Sequence, residues 1–401
     1  TILQLEAERM VNLDITPEKV QIEKEVVKEE YRMGFQNDAL GAALDRLLAV
    51  SLKDTPYAWT PAGNIQTIDA ITAHDLKEFY RQYYAPNNAI LVIAGDTDLN
   101  TVMTLAEETF GPIPPGKIPS RAPVELPEQT QEKAIDLTMP LQLPAIVGGY
   151  VIPGTQDRDH IPLQLASLIF STGQSSRLHQ KLVREQEIAV AAAGYAQPFR
   201  DAGLFLNLAF HLDHHDPDQV IKAMQSEIEG MALVPPSPQE LEKARNQVAA
   251  NYSFSLDSLD GIANAIGSAI VMGRGLEEFE RGIEEYLSIT AEEVQDAVAR
   301  YLLPEKLTVF RVKPGEALPK SGPVNSNQSS GTQNRHALPG TDEPSRAKAP
   351  FDNNLVTTPP KAEKLALPSI SHFTLENGLT VWLIERPQKP LAVLQLILPS
   401  A

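Results

Sequence analysis

An internal repeat constrains this chain of 401 residues more than any other feature. Residues 71–86 (Ile-Thr-Ala-His-Asp-Leu-Lys-Glu-Phe-Tyr-Arg-Gln-Tyr-Tyr-Ala-Pro) align without a gap with residues 289–304, so the second copy follows the first by 218 positions. Thr72 and Thr290 can each cap a helix, and an acid follows each threonine by three residues, which is a capping-box arrangement. The repeat therefore predicts the same helix twice.

Each copy ends at a proline and runs into a segment typical of a strand. Residues 89–94 follow the first copy and residues 307–312 follow the second, and both are rich in β-branched residues. A chance match is the alternative for a single helix-to-strand pair, but homologous domains in tandem account for it better. Strands with helices on one face predict an α+β fold class, with one α/β sandwich per domain.

Composition excludes several classes of protein. The formal charge is −18 and there is no basic run, which argues against nucleic acid and against an anionic membrane surface as partners. No apolar run approaches ~18 residues, so no transmembrane helix is predicted in this piece. The absence of cysteine excludes disulfides, Cys-ligated zinc and thiol catalysis within these residues.

A helix is predicted over residues 16–33, and its pattern is unusual. Glu23 and Glu30 are interleaved with Val20 and Val27 at helical spacing, which predicts both carboxylates on the buried face. Buried carboxylates need a cation, a metal or hydrogen bonds. The alternative is a half-buried stripe on which both reach water. The other charged side chains are predicted to face solvent: Lys24, Glu25, Lys28, Glu29 and Arg32.

Residues 23–33 (Glu-Lys-Glu-Val-Val-Lys-Glu-Glu-Tyr-Arg-Met) resemble the zinc-glutamate helix of the pitrilysin–insulinase metallopeptidases, the inverzincins. In that family two histidine ligands and the catalytic glutamate lie on a His-x-x-Glu-His helix. The resemblance implies that Glu30 is the third ligand to Zn²⁺. It also implies that Glu23 supports the site by orienting a histidine ligand. The fold implied is the sandwich found in mitochondrial-processing-peptidase-like domains.

The chain contains no His-x-x-Glu-His segment. Its histidines are His74, His160, His179, His211, His214, His215, His336 and His372. In the family the motif lies roughly 75 residues before the third ligand, which would place it upstream of Thr1. We therefore expect an internal piece of a longer protein that has no catalytic residue of its own and is inactive alone, since the base and two ligands precede it.

The resemblance also implies four segments. Residues 1–125 form the C-terminal part of a first peptidase-like domain, here called the first unit, and residues 126–313 form the second unit. Residues 314–368 are rich in Pro, Ser and Asn and predict a linker. Residues 369–401 begin a second module, because Glu376-Asn-Gly378 between alternating runs predicts a hairpin like the opening Leu-x-Asn-Gly-Leu hairpin of such a module.

Within the second unit, Ser171-Thr-Gly-Gln-Ser-Ser-Arg-Leu178 resembles the Gly-rich turn of the family's second domain. Long helices are predicted from Gln239 to about Ala269 and from Leu276 to Leu287.

The function implied is that of a zinc-dependent metalloendopeptidase acting on extended peptides or unfolded segments. Its partners would be the peptide substrate and the second peptidase-like module of the same polypeptide. An exported, periplasmic bacterial protein is the location that the resemblance favours. The alternative is a scaffold or peptide-binding subunit that has lost catalysis.

Other motifs have simpler interpretations. The histidines in His211-Leu-Asp-His-His-Asp216 could bind a metal, but adjacent ligands on one short loop seldom converge, so a solvated turn is the alternative. Residues 111–117 have P-loop-like spacing, yet Ile118 replaces the Ser or Thr that holds magnesium, which predicts a loop. Arg177 and the pair Tyr83-Tyr84 are predicted to pack and cap rather than to catalyse.

Overall fold

The computed structural model describes residues 2–315, 370–386 and 392–398, with the side chains of 276–280 excepted. The first unit contains α1 (Ile2–Val11), α2 (Pro17–Tyr31), α3 (Ala39–Ser51), α4 (Ile65–Ala70), α5 (Ala73–Tyr83), β1 (Ile90–Gly95) and α6 (Leu99–Phe110). The second unit contains β2 (Lys133–Met139), β3 (Ala145–Pro153), α7 (His160–Ser171), β4 (Ala191–Pro198), β5 (Ala202–Phe210), α8 (Pro217–Leu233), α9 (Pro238–Ser255), α10 (Leu259–Val271), α11 (Gly275–Ser288), α12 (Ala291–Tyr301) and β6 (Thr308–Pro314). Then follow β7 (Ile370–Thr374), β8 (Thr380–Glu385) and β9 (Ala392–Ile397).

The strands form two sheets. The first has the order β7-β8-β1-β9, in which β1 is parallel to β8 and antiparallel to β9. The second has the order β2-β6-β3-β5-β4, with β2 parallel to β6 and the other pairs antiparallel. No helix of the described ranges is long and apolar enough to cross a membrane.

The sequence repeat is also a structural repeat. Helices α5 and α12 both have 11 residues, and Thr72 and Thr290 close the predicted capping boxes with Asp75 and Glu293. A short 3₁₀ turn follows each helix, and strands β1 and β6 begin 218 residues apart, at Ile90 and Thr308. The predicted α+β class with tandem homologous domains is confirmed.

Each sheet is covered on one face by helices of its own unit and on the other by a helix of the other unit. Helices α7, α8 and α12 cover one face of the second sheet, and α1 and α6 cover one face of the first. Helix α3 of the first unit packs on the second sheet, with Leu47 against Leu204 and Phe310 in one cluster. Helix α10 of the second unit packs on the first sheet, beside Val92 and Trp382. The two units therefore share their cores.

The predicted long helix from Gln239 to about Ala269 is wrong, because the structure has two helices there. Helix α9 ends at Ser255, and the Ser258 hydroxyl accepts a hydrogen bond from the backbone N–H of Gly261 at 2.9 Å. This N-cap begins a new helix in another direction, and α10 reaches the first sheet for that reason.

The hairpin predicted at Glu376-Asn-Gly378 is confirmed. Strands β7 and β8 are antiparallel with Thr374 opposite Thr380, and Gly378 has φ +87°, which other residues rarely adopt. Asn377 anchors the turn, since its Nδ2 donates to the carbonyl oxygens of Phe110 and Ile113 at 2.6 and 3.0 Å. The hairpin thus completes the first sheet. The start of a second module at 369 stays a prediction, and residues 316–368 of the predicted linker lie outside the described ranges.

An ion pair between Arg177 and Glu240 connects the turn after α7 with α9. The Arg177 Nε and Nη2 atoms donate to the Glu240 carboxylate at 2.6 and 3.0 Å, so Arg177 joins two elements of the second unit. Hydrogen bonding from Arg177 lowers the pKa of Glu240 from 4.5 to about 2. Because the folded-state pKa is the lower one, this stabilisation is complete above pH 4.5 and is lost as the pH falls towards 2.

The pair predicts a pH-dependent difference between wild type and Glu240→Gln. Wild type should have the higher urea midpoint at pH 6, and the difference should shrink between pH 4.5 and pH 3, where Glu240 of the unfolded chain takes up a proton while that of the folded protein stays ionised. Glu242→Gln, an exposed position on the same helix, is the control and should match wild type throughout. A Glu240→Gln difference that is the same at pH 6 and pH 3 would contradict this account.

Candidate functional site

Helix α2 carries the two glutamates and begins as the sequence predicts. The Thr16 hydroxyl accepts from the backbone N–H of Lys19 at 3.3 Å, and Pro17 takes the first helical position. A π-helical turn, Arg32–Gln36, extends the helix beyond Tyr31. The local signals therefore set where α2 begins and which residues it contains.

The predicted orientation of α2 is wrong. Glu23 and Glu30 are exposed, whereas Val20, Lys28 and Tyr31 are the buried residues of the helix. The alternative in which both carboxylates reach water describes these residues better. The cause is tertiary, because α2 turns the face that includes Lys28 towards α4.

Lys28 was predicted to face solvent but is 8% exposed. Its Nζ lies 2.8 Å from the carboxylate of Asp69 on α4 and 2.6 Å from that of Glu25. Hydrogen bonding to Asp69 and then to Glu25 raises the pKa of Lys28. The buried ammonium is thus paired, which is the condition for burying a charge.

The exposed face of α2 is rich in apolar side chains. Ile22 is 67% exposed, Val26 46% and Met33 62%, and they alternate with Glu23 and Glu30 along one side of the helix. Large apolar side chains grouped on one exposed face mark a surface that another element covers. The two carboxylates lie within such a surface.

The counterpart of α2 in the second unit is α9. Both helices begin with a capping hydroxyl followed by proline, Thr16-Pro17 and Ser237-Pro238, which sets a spacing of 221 residues. This spacing pairs Tyr31 with Tyr252 and Glu30 with Asn251. It also pairs Glu23 with Ala244.

The face of α9 that corresponds to the exposed face of α2 packs on α7. Lys243, the counterpart of Ile22, donates from Nζ to the carbonyl oxygen of Thr172 at 2.6 Å. Ala244 and Gln247, the counterparts of Glu23 and Val26, line a small cleft together with residues of α7. In the second unit, then, a helix covers the surface that α2 leaves exposed.

The described residues contain no group of three or more His, Cys, Asp or Glu side chains that could hold a metal ion. In the cluster at 211–216, His211 is 3% exposed, with Nδ1 3.0 Å from the Leu212 carbonyl oxygen, while the ring centroids of His214 and His215 lie 4.1 Å apart with the rings tilted by 42°. Residues 211–216 follow the end of β5 as a turn, as predicted, but His211 is buried and not solvated.

The remaining candidates have packing roles. Tyr83 and Tyr84 contact the rings of Phe79 and Tyr80, one turn earlier on α5. Residues 111–117 form a loop after α6, as predicted.

Comparisons with known proteins agree with this arrangement. Residues 70–248 match the family model of the peptidase M16 inactive domain. The zinc protease PqqE of Helicobacter pylori is 26% identical over 321 residues, which cover 78% of this chain and 71% of that protein. Residues 70–248 of this chain thus belong to the M16 peptidase family. M16 is the pitrilysin–insulinase family, so the predicted family is confirmed.

Other M16 relatives are covered less fully. A zinc protease of Streptomyces coelicolor is 23% identical over 75% of this chain and 66% of its own length. The mitochondrial-processing peptidase subunit beta of Blastocladiella emersonii is 23% identical over 70% of this chain and 62% of its own length. The chain therefore spans about two thirds of the length of these M16 proteins.

Solved structures share the fold. A protease from Helicobacter pylori superposes with a TM-score of 0.71 at 23% identity, covering 78% of this chain and 76% of that one. The periplasmic protease PqqL from Escherichia coli superposes with a TM-score of 0.62 at 15% identity, covering 96% of this chain and 44% of PqqL. Glu23 and Glu30 precede the residues matched by the M16 inactive-domain model.

Proposed function

We propose that the complete protein is an M16 zinc metalloendopeptidase and that this chain supplies its third zinc ligand, Glu30. One observation carries the proposal. The exposed face of α2 holds Glu23 and Glu30 among apolar side chains, and the corresponding face of α9 is covered by α7. A helix equivalent to α7, contributed by sequence upstream of Thr1, would cover α2 and bring its His-x-x-Glu-His residues to Glu30.

The donor chemistry of α2 fits zinc. Two histidines with one carboxylate form a known catalytic zinc set, and Glu30 has its carboxylate free in solvent to complete such a set. Glu23 lies two turns earlier on the same face, where it can accept from a histidine N–H and hold the ring in position. Zinc bound there supplies Lewis acidity towards a peptide carbonyl. This chain's own contribution is to bind and orient.

The substrate proposed is an extended peptide or an unfolded segment held between two modules, of which residues 369–401 begin the second. The likeness to the periplasmic PqqL supports a periplasmic location. The 401-residue chain alone should not cleave peptides, because it contains no His-x-x-Glu-His.

A second candidate is a non-catalytic scaffold or peptide-binding subunit. The match of residues 70–248 to the M16 inactive domain favours this for the matched part of the chain, which includes the end of the first unit and much of the second. Carboxylates at both 23 and 30 favour the enzyme for the first unit, since a scaffold does not need them on a face that another helix covers.

The test is to express the complete gene product beside the 401-residue chain. Zinc content by mass spectrometry and cleavage of a quenched peptide are measured on both. We expect one zinc per complete protein, cleavage that a chelator stops and that zinc restores, and neither property in the 401-residue chain. A complete protein without zinc or cleavage would establish the scaffold, and chelator-sensitive cleavage by the chain alone would refute the assignment of the missing ligands.

A further inference from the structure

A cavity of about 560 Å³ lies in the second unit between α7, α9, α10 and α11. Val248 and Asn251 of α9 line it on one side, and Gln164 and Leu168 of α7 line it on the other. Asn251 is the counterpart of Glu30. The cavity therefore occupies, in the second unit, the position that the proposed zinc site occupies in the first.

The lining cannot reproduce the zinc site. Asn251 replaces the carboxylate of Glu30 with a neutral amide, and Ala244 replaces Glu23 with a methyl group. On the opposite wall α7 presents Gln164, Ser167 and Leu168, none of which is a good zinc ligand. The cavity therefore lies where the first unit has its proposed metal site, but its lining residues are not good zinc ligands.

Among the lining residues whose side chains the structure describes, the charge is balanced. Arg274 lines it, and its Nη2 lies 2.9 Å from the carboxylate of Glu285. The Tyr286 hydroxyl donates to Oε1 of Gln164 across the cavity floor. The apolar part of the wall is formed by Leu168, Ala196, Val248, Ala265, Ala269, Met272 and Ile283. Neutral polar side chains also line the cavity: Thr155, Ser167, Asn251, Tyr252, Ser255 and Ser268. A charged occupant would lose hydration without gaining a counter-ion from these described side chains, so they favour an uncharged, apolar occupant.

The neighbouring sheet edge limits how the occupant can bind. Ala196 lies on the edge strand β4, but the Ser171 hydroxyl donates to the carbonyl oxygen of Gly194 and accepts from its N–H. These backbone groups face away from β5, because hydrogen-bonded residues alternate along an antiparallel strand and Phe199, five residues further on, donates to Ala202 of β5. A peptide therefore cannot continue the sheet past Gly194, and the cavity is left to receive a side chain.

We propose that this cavity is a metal-free subsite that binds one uncharged apolar side chain, such as leucine or phenylalanine, of an extended peptide. That the occupant belongs to a peptide rests on the proposed function. The preference for an apolar, uncharged group rests on the lining alone.

The experiment uses the whole 401-residue chain with ¹³C-methyl-labelled methionine. The chain has seven methionines, and Met272 lines the cavity, so its methyl resonance reports on occupancy. The probes are N-acetyl-Gly-Leu-Gly-amide and the same peptide with Asp or Lys in place of Leu. We expect a saturable shift of the Met272 resonance with the Leu peptide, and at least tenfold weaker binding of the Asp and Lys peptides.

Ala269→Phe, which fills the cavity, should abolish the shift, and the other six methionine resonances report whether the variant folds. Ala265→Phe fills the cavity from the same helix and is the second variant. Glu242→Phe adds the same ring at an exposed position of α9 and should bind like the wild type. No shift of Met272, equal binding of the Leu and Asp peptides, or wild-type binding by both filled variants would overturn the proposal.

This outcome is separate from that of the proposed function, because the titration needs neither zinc nor cleavage. A peptidase with an empty cavity would cleave the quenched peptide but show no shift of Met272. A scaffold with an occupied cavity would show the shift but no cleavage.

Discussion

Glu30→Gln in the complete gene product is expected to lower zinc affinity by well over 100-fold and to reduce peptide cleavage to background. The substitution keeps the shape of the side chain but removes the anionic donor, and a neutral amide is a poor ligand for zinc. Glu23→Gln should have a smaller effect, about 10–100-fold, because it removes a group that orients a ligand rather than a ligand. Zinc affinity by competition with a chromogenic chelator and cleavage of a quenched peptide measure both variants.

Glu29→Gln is the matched control for these variants. Glu29 is exposed beside Glu30 on α2, and its carboxylate already has a partner, Arg32, at 3.1 Å. Surface pairs of this kind contribute little, so the control should bind zinc and cleave like the wild type. If Glu29→Gln and Glu30→Gln gave equal losses, α2 would have a structural role and the ligand assignment would be wrong.

Leu47→Ala is expected to lower the free energy of unfolding by about 2–5 kcal/mol, the usual cost of removing a buried leucine side chain. Leu47 has no exposed surface and packs in the cluster that joins α3 to the second sheet. Urea denaturation of the 401-residue chain, followed by circular dichroism, measures the change. Leu44→Ala on the same helix makes the same chemical change at a partly buried position and should cost less.

A substitution in α10, the helix of the second unit that packs on the first sheet, is expected to have a similar effect. Ile266 on α10 also has no exposed surface and packs on the first sheet, so Ile266→Ala should destabilise the protein by a similar amount. Because each helix contributes to the core of the other unit, both variants should still unfold in one transition. Two separate transitions in either variant would show that the units do not share their cores.

Much of the architecture follows from local signals in the sequence. Capping residues and prolines mark the starts of α2, α5, α9 and α12, and a capping hydroxyl satisfies an N–H group regardless of what packs nearby. The 218-residue repeat predicts the two helix-to-strand units, and Asn377-Gly378 predicts the hairpin, since glycine tolerates the positive φ that the turn requires. The resemblance of residues 23–33 led to the M16 family, which the comparisons confirm.

Other features depend on tertiary packing. The periodicity of α2 placed Glu23 and Glu30 on the buried face, but the pairing of Lys28 with Asp69 of α4 turns that face outward. The exchange of α3 and α10 between the two sheets likewise has no local signal, because an apolar stripe shows that a helix is covered and not by what.

The sequence by itself thus determined the repeated helix-to-strand units, the starts of α2, α5 and α12, the hairpin at Asn377-Gly378 and the resemblance to the M16 family. The tertiary structure alone decided which face of α2 is exposed, which sheet each exchanged helix covers, and where the second unit has a cavity in place of a carboxylate. The physical reason is that caps, turns and periodicity act over a few neighbouring residues, whereas burial is settled by contacts between residues far apart in the chain.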